Sequence, residues 1–435
     1  MASTPQMSGV LPPTTKPAEL EYGGDEVSAL VLDPGTGTTR CGFAGEDTPK
    51  TCVPTSYGIV PDPEEQKYFG KLKIGENPIN SVVEGMEIRN PMSEGIGASR
   101  SHPNSAVTLT SLEEHPLLVT EPIWNPLKKR EKTTEIVFED FNAPAYFLVK
   151  SAVCESFANS KPSALVVDMG HAYTSVTPVI DGIPLRKGSE RTTLAGQHLT
   201  NQLRHQFSEM GIRMAPWLTL KGKTTYTDLA AAPPLRTKDF GFQPHQSFLD
   251  LQQDRFIHEF KECVSETWPE AKTFPADINN LPDNFRGIAD KAFEFPDGYQ
   301  RRFGIDRFLA PESLFNPSVS PKAITGDLPK GIAEMIKDSI DHLDADIRAN
   351  MLNNIVVVGG TSLLYRINER LNHELMTMFP GPRVKIHSPG QIPERKYSAW
   401  LGGSILASCG AFHQLWISKQ EYDEVGANII ERRAK

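Results

Sequence analysis

From Val27 onward, short β-prone apolar runs alternate with stretches whose apolar positions recur at helical spacing. Three runs end in glycine turns. Val27–Leu32 leads into Asp33-Pro34-Gly35-Thr36-Gly37, Ala164–Val167 into Asp168-Met169-Gly170, and Ile355–Val358 into Gly359-Gly360-Thr361. A short unbroken apolar run closed by a turn reads as a buried strand. The first two runs share one plan: apolar residues, Asp, any residue, Gly, polar residues, then a second β-prone run. Their aspartates stand 135 positions apart, which points to a duplicated unit.

Helical periodicity is clearest at Ile332, Met335, Ile336, Ile340, Leu343 and Ile347, which predict one helix with one apolar face. A second helix is expected from Asn142 as N-cap, with Pro144 in its first turn, running through Phe147, Leu148, Ser151 and Ala152. A third is expected from about Ser362. Strands alternating with helices predict an α/β architecture. Segments 93–112 and 214–250 follow neither period and read as loops or insertions, the second carrying Trp217, Tyr226 and Phe240 among polar residues. Residues 1–24, with their prolines, Ser/Thr and Gly23-Gly24, read as a flexible tail.

The chain has 435 residues, enough for two or three folding units. Its net charge of −9 argues against a dedicated nucleic-acid binder. The basic run Lys128-Lys129-Arg130 reads as a solvated face. No apolar run approaches the ~20 residues that cross a bilayer, and Met1–Leu20 lacks the apolar core of a secretory signal. Five scattered cysteines without a C-x-x-C pair suggest a reducing compartment and no zinc site.

A turn such as Asp33–Thr38 suits a phosphate chain. Glycines let backbone N–H groups approach an anion, Thr36 adds a hydroxyl and Arg40 adds charge. Asp33 at the strand end suits a hydrated cation. A hairpin whose glycines only make a tight turn would read the same way. Two such Asp-Gly turns, joined by Gly359-Gly360-Thr361, make a stronger pattern: two loops facing across a cleft, with a third glycine segment to lie against a nucleoside.

The run Val31-Leu32-Asp33-x-Gly35-x-Gly37, followed by Cys41-Gly42-Phe43-Ala44-Gly45-Glu46-Asp47, resembles the first phosphate loop of the actin family. Phe141-Asn142-Ala143-Pro144-Ala145, Glu294-Phe295-Pro296-Asp297-Gly298 and the C-terminal run from Pro393 to Glu424 resemble actin as well. The resemblance covers roughly residues 26–435. It implies an actin-like fold of two related α/β domains hinged around an ATP–Mg²⁺ cleft. The first domain would span 25–160 plus 402–435, and the second 161–401 with the 214–250 insertion. It implies phosphate contacts at Thr36, Gly37, Thr38 and Arg40, faced by Gly170, His171, Ala172 and Tyr173. Asp33 and Asp168 would hold the metal through water. Gly196, Lys261, Glu262, Gly359, Gly360, Thr361, Leu363 and Lys396 would surround the nucleoside. Without the family, Lys261-Glu262 reads as a charged solvated face.

The departures from actin bear on its enzymology. Ser151 stands where actin has the Gln that positions the attacking water, and Ser175 where it has a water-ordering His. His171-Ala172 replaces an Asp-Gly pair, and Arg40 replaces a lysine. Phosphoryl transfer depends on positioning, so the expectation is ATP binding with little or no hydrolysis and no catalytic residue. An active ATPase of the same fold is the alternative, and a polymerising cytoskeletal protein a third reading. Against polymerisation, the loop at Tyr57–Ile74 carries Pro61, Asp62, Pro63, Glu64 and Glu65, and Pro317–Gly331 is broken by prolines. Segment 93–112 stands in place of a Trp-bearing helix. Ile405, Leu406 and Phe412, with Trp416 beyond, match the target-binding groove between actin's domains, which suits an amphipathic helix. Within the family, the closest likeness is to nuclear members that serve in chromatin-remodelling and histone-acetyltransferase complexes. This implies a nuclear location and docking, together with actin, on a helical segment of a remodelling ATPase or scaffold. Histones or nucleosomal DNA would be neighbours within the complex.

Overall fold

The apolar run before Asp33 forms a strand, Leu30–Pro34, and the glycine turn returns the chain antiparallel as Thr38–Phe43, placing Asp33 opposite Arg40. The computed structural model describes residues 28–61, 71–93, 96–97, 112–271, 273–275, 287–322, 324 and 326–434. The expected tail at 1–24, the charged stretch 62–65 and nearly all of 93–112 lie outside them. Along its other edge, Leu30–Pro34 pairs in parallel with Leu117–Glu121, which pairs in parallel with Ala145–Lys150. Ile417–Ser418 and Thr51–Pro54 complete a six-stranded sheet.

The second apolar run repeats the plan. Ala164–Met169 carries Asp168 to its end, turns at Gly170 and returns antiparallel as Thr174–Ile180. Its parallel neighbour is Ile355–Val358, followed by Ile386–His387. Leu165, Val166, Val167 and Ile355–Val358 are all buried, so these strands show no polar alternation. One apolar cluster packs the far side of this sheet against the helices at 196–209, 246–263, 332–341 and 367–378. A second cluster fills the first sheet and reaches Val166, Val179, Val356 and Val358 on the near face of the other.

The two sheets meet at a pair of crossed helices, Ser151–Ala158 and Ser398–Ser408. Their backbones touch at Gly402, where a Cβ would lie 1.7 Å from the Cys154 carbonyl oxygen. The second helix is pinned to the first sheet by Trp400, fully buried, whose Nε1 donates to the Val31 carbonyl at 3.1 Å.

Several expected elements fall elsewhere. Residues 145–150 form a strand and the helix starts only at Ser151. Asn142 is no N-cap but a turn residue with φ of +53°. The helix expected through Ile347 is two, Ile332–Asp341 and Ala345–Asn353, broken at His342–Asp344. After Gly359 comes a 3₁₀ turn, Gly360–Leu363, and the α-helix starts at Ile367, behind Arg366 in the left-handed region. The 214–250 insertion ends where a helix begins at Gln246. It is pinned to the Phe295–Tyr299 turn: Tyr226 donates to Asp297 Oδ2 at 2.6 Å, and Arg213 donates to the Pro233 carbonyl at 2.7 Å. Trp217 remains 58% exposed.

Arg130 overturns the solvated reading of its basic run. It is buried and donates to Glu121 at 2.9 Å and to the Ala434 carbonyl, tying the C-terminal segment to the first sheet. Lys150 pairs with the same Glu121.

Since a methyl at Gly402 overlaps a backbone oxygen, Gly402→Ala is expected to destabilise the chain by about 3 kcal/mol. Ala407→Gly on the same helix removes only a methyl and weakens helix propensity, so about 1 kcal/mol is expected. Equal shifts in a thermal melt would show that the crossing tolerates separation.

Candidate functional site

The Asp-bearing strands of both sheets end at one cavity of about 430 Å³, a size that suits a small ligand. The crossed helices form its floor, contributing Ser151 and Glu155 from one and Ser398 and Ala399 from the other. Of the residues expected to contact a nucleotide or metal, Asp33, Thr36, Gly37, Thr38 and Arg40 line it from the first sheet. Asp168, Gly170, His171, Tyr173, Gly196, Lys261, Glu262, Gly359, Gly360, Thr361, Leu363 and Lys396 line it from the second. Ala172 and Ser175 do not; Ser175 is buried in the strand, opposite Asp168. Sequence reasoning missed Thr120, Glu121, Glu155, His258 and Tyr365. Glu155 had a legible signal, since it stands one helical turn beyond Ser151.

The two loops touch. A Cβ on Gly37 would sit 3.0 Å from the His171 ring, so a larger residue there would press the ring aside. The second loop is held at Gly170, whose carbonyl accepts from the Gly196 N–H at 3.1 Å and the Thr361 hydroxyl at 2.8 Å. Gly359 has φ of +88°, and a Cβ there would meet Asp168 Oδ1 at 2.5 Å. This glycine is required twice over, by conformation and by space. Lys261, read from sequence alone as a surface charge, is buried and donates to the Gly196 carbonyl at 3.0 Å and Thr200 Oγ1 at 2.8 Å. Burial pushes its ammonium down to about 8, against the pull of Asp254 and Glu262. His258 and Glu262 lie 3.2 Å apart at the rim. Across the lobes, Trp124 stands edge-on to Tyr173 with centroids 4.7 Å apart.

Negative charge dominates the floor. Asp33 is fully engaged: Thr120 Oγ1 donates to Oδ1 and Arg40 to Oδ2, both at 2.6 Å. Burial and the neighbouring Asp33 carboxylate push Asp168 up to about 7. Burial, followed by Asp168 and Asp33, drives Glu155 well above the usual carboxylate range. Glu155 Oε2 is buried with no hydrogen-bond partner among the described residues. Burial and the nearby Lys261 push His171 down to about 4, so it is neutral near pH 7. An orphaned carboxylate oxygen beside glycine-built loops fits a cation carrying a bound anion.

At the base of the lobes, Ile405 is 38% and Leu415 45% exposed, and Leu406 is partly buried. Phe412 was expected to line a groove. It belongs to the core instead, edge-on to Phe147 at 5.1 Å and to Trp416 at 5.4 Å.

Two sheets of the same plan, closing glycine loops and paired aspartates on one cleft, define an α/β protein of the actin-like class. The chain belongs to the actin family, whose model, "Actin", matches residues 24–435. Its similarity runs along whole chains. Actin-related protein 4 of Emericella nidulans is 41% identical over 96% of this chain and 99% of its own. Actin-related protein 4 of Yarrowia lipolytica is 37% identical over 97% and 99%. The "SWI/SNF and RSC complexes subunit arp42" of Schizosaccharomyces pombe is 36% identical over 94% and 100%.

Arg40 is the counter-ion of a buried carboxylate, so Arg40→Met is expected to cost about 2–3 kcal/mol. Adding Asp33→Asn should recover part of that loss in a double-mutant cycle. Strictly additive losses would mean that the pair is not coupled.

Proposed function

We propose that the chain is a nuclear structural and regulatory subunit of chromatin-remodelling and histone-acetyltransferase complexes, with ATP–Mg²⁺ in its cleft. The observation that carries this reading is the cleft floor. Glycine loops and carboxylates line it together with Ser151, the residue that the family resemblance sets in place of the water-orienting Gln. The names and full-length similarity of the relatives support the chromatin assignment.

Thr36, Gly37, Thr38 and Arg40, with Gly170, His171 and Tyr173, would hold the phosphates. The segment from Gly359 to Leu363, with Gly196, Glu262 and Lys396, would hold the nucleoside. Asp33 and Asp168 would hold the metal through water, as the resemblance implies. When bound, the metal supplies charge neutralisation between these carboxylates and the phosphates. The Ser151 hydroxyl reaches less far than a carboxamide, so water at the terminal phosphate stays unpositioned and ATP persists. ATP then acts by linkage, stabilising the closed arrangement of the lobes.

Docking uses the exposed apolar pair Ile405 and Leu415 at the base of the lobes, a surface suited to an amphipathic helix of a remodelling ATPase or scaffold shared with actin. The exposed Trp217 on the insertion is a second contact surface, available to histones or nucleosomal DNA within such a complex.

Single-turnover incubation of the purified chain with ATP and Mg²⁺ tests the enzymatic half. Intact ATP is expected, with Ser151→Gln raising the rate of phosphate release about tenfold or more. Rapid hydrolysis by the unmodified chain would favour an active ATPase. Pelleting of filaments at high protein concentration would favour a polymerising protein.

A further inference from the structure

Of the acidic side chains that line the cleft, Asp33, Asp168 and Glu155 act on one another, and Asp33 alone of these three is ion-paired among the described residues. Asp33 is held by Arg40 and Thr120 through both oxygens. Glu155, 3% exposed, lines the same cavity one turn after Ser151, and its Oε2 has no partner among the described residues. A buried carboxylate oxygen without a donor is costly, and at the wall of a ligand cavity a bound cation or the water it carries is the partner that would satisfy it. That ligand is positive, because Asp33 and Asp168 stand beside Glu155 and an anion entering alone would be repelled.

We propose that Glu155 is a cation-binding residue of this cleft, so that the divalent ion is held from the Glu155 and Asp168 side while Asp33 stays tied to Arg40. The proposal rests on the ATP reading above and deepens it. All the donors are oxygens, which selects a hard ion such as Mg²⁺, Mn²⁺ or Ca²⁺. No three acidic, histidine or cysteine side chains among the described residues form a cage of their own. Water and phosphate oxygens therefore complete the shell, as Mg²⁺ prefers. A consequence follows for exchange. Removing the cation leaves uncompensated carboxylates against the phosphates, so nucleotide release depends steeply on free divalent ion.

The test is Mn²⁺ binding to the full chain with ATP present, read by electron paramagnetic resonance, alongside ATP binding in excess chelator. Glu155→Gln, nearly isosteric, is expected to weaken Mn²⁺ about tenfold or more while leaving chelator-condition ATP binding equal or tighter. Asp33→Asn, whose carboxylate serves Arg40, should weaken Mn²⁺ less than Asp168→Asn does. That ordering decides the matter even if Glu155→Gln does not fold. Mn²⁺ affinity unchanged in Glu155→Gln, or Asp33→Asn costing as much as Asp168→Asn, overturns the proposal. A wild-type chain that binds no ATP in Mg²⁺ defeats the ATP reading instead, which separates the two failures.

Discussion

The backbone of Gly402 presses on the carbonyl of Cys154 so closely that a single added methyl would come within 1.7 Å of the oxygen. The rest of the site depends on this approach. It brings two helices from distant parts of the chain into a crossing, and the crossing sets their cleft-facing residues, Ser151 and Glu155 from one and Ser398 and Ala399 from the other, into one floor. Trp400 then fixes the second helix to the Val31 carbonyl in the strand that carries Asp33. A larger residue at Gly402 would push the lobes apart at their base. The phosphate loops, already in contact through Gly37 and His171, would lose their alignment.

Charge imposes the second constraint. Arg40 neutralises Asp33, and Lys261 is occupied with the Gly196 carbonyl and Thr200. Burial acts on Asp168 and Glu155, and Glu155 Oε2 has no hydrogen-bond partner among the described residues. On the proposed ATP reading, a metal ion would bring positive charge to these carboxylates and carry the phosphates with it. Binding energy obtained this way adds to the stability of the folded chain, which is what a structural nucleotide requires and what a turning-over enzyme would spend at every cycle.

Glycine punctuation made much of this legible. Each expected loop lies at the cleft because a phosphate-type loop needs glycine at fixed points along the strand ends. The duplication was readable because both Asp-bearing strands are buried on two faces and so appear as unbroken apolar runs. The errors have equally local causes. Asn142 and Pro144 imitate a helix start, yet Ala145–Lys150 is buried throughout most of its length, and a fully buried strand shows no alternation to distinguish it from a helix. The apolar period through Ile347 runs across a break at His342–Asp344, because Leu343 in the break is buried and Ile347 packs partly against the same core. Arg130 and Lys261 looked like surface charge, since their partners, Glu121 and the Gly196 carbonyl, are remote in sequence or offer only backbone. Glu155 was missed although its place one helical turn beyond Ser151 was readable. A lone glutamate on a helix reads as solvated until the fold places it under two other carboxylates.

On the proposed reading, nucleotide completes this cleft without being consumed. The measurement that addresses it most directly is the identity of the nucleotide released by heat from the purified chain, followed over hours. The account predicts ATP, intact and in stoichiometric amount. ADP would contradict it by showing that Ser151 does not leave the water unpositioned, and an empty cleft would contradict it by showing that the carboxylates find their compensation elsewhere.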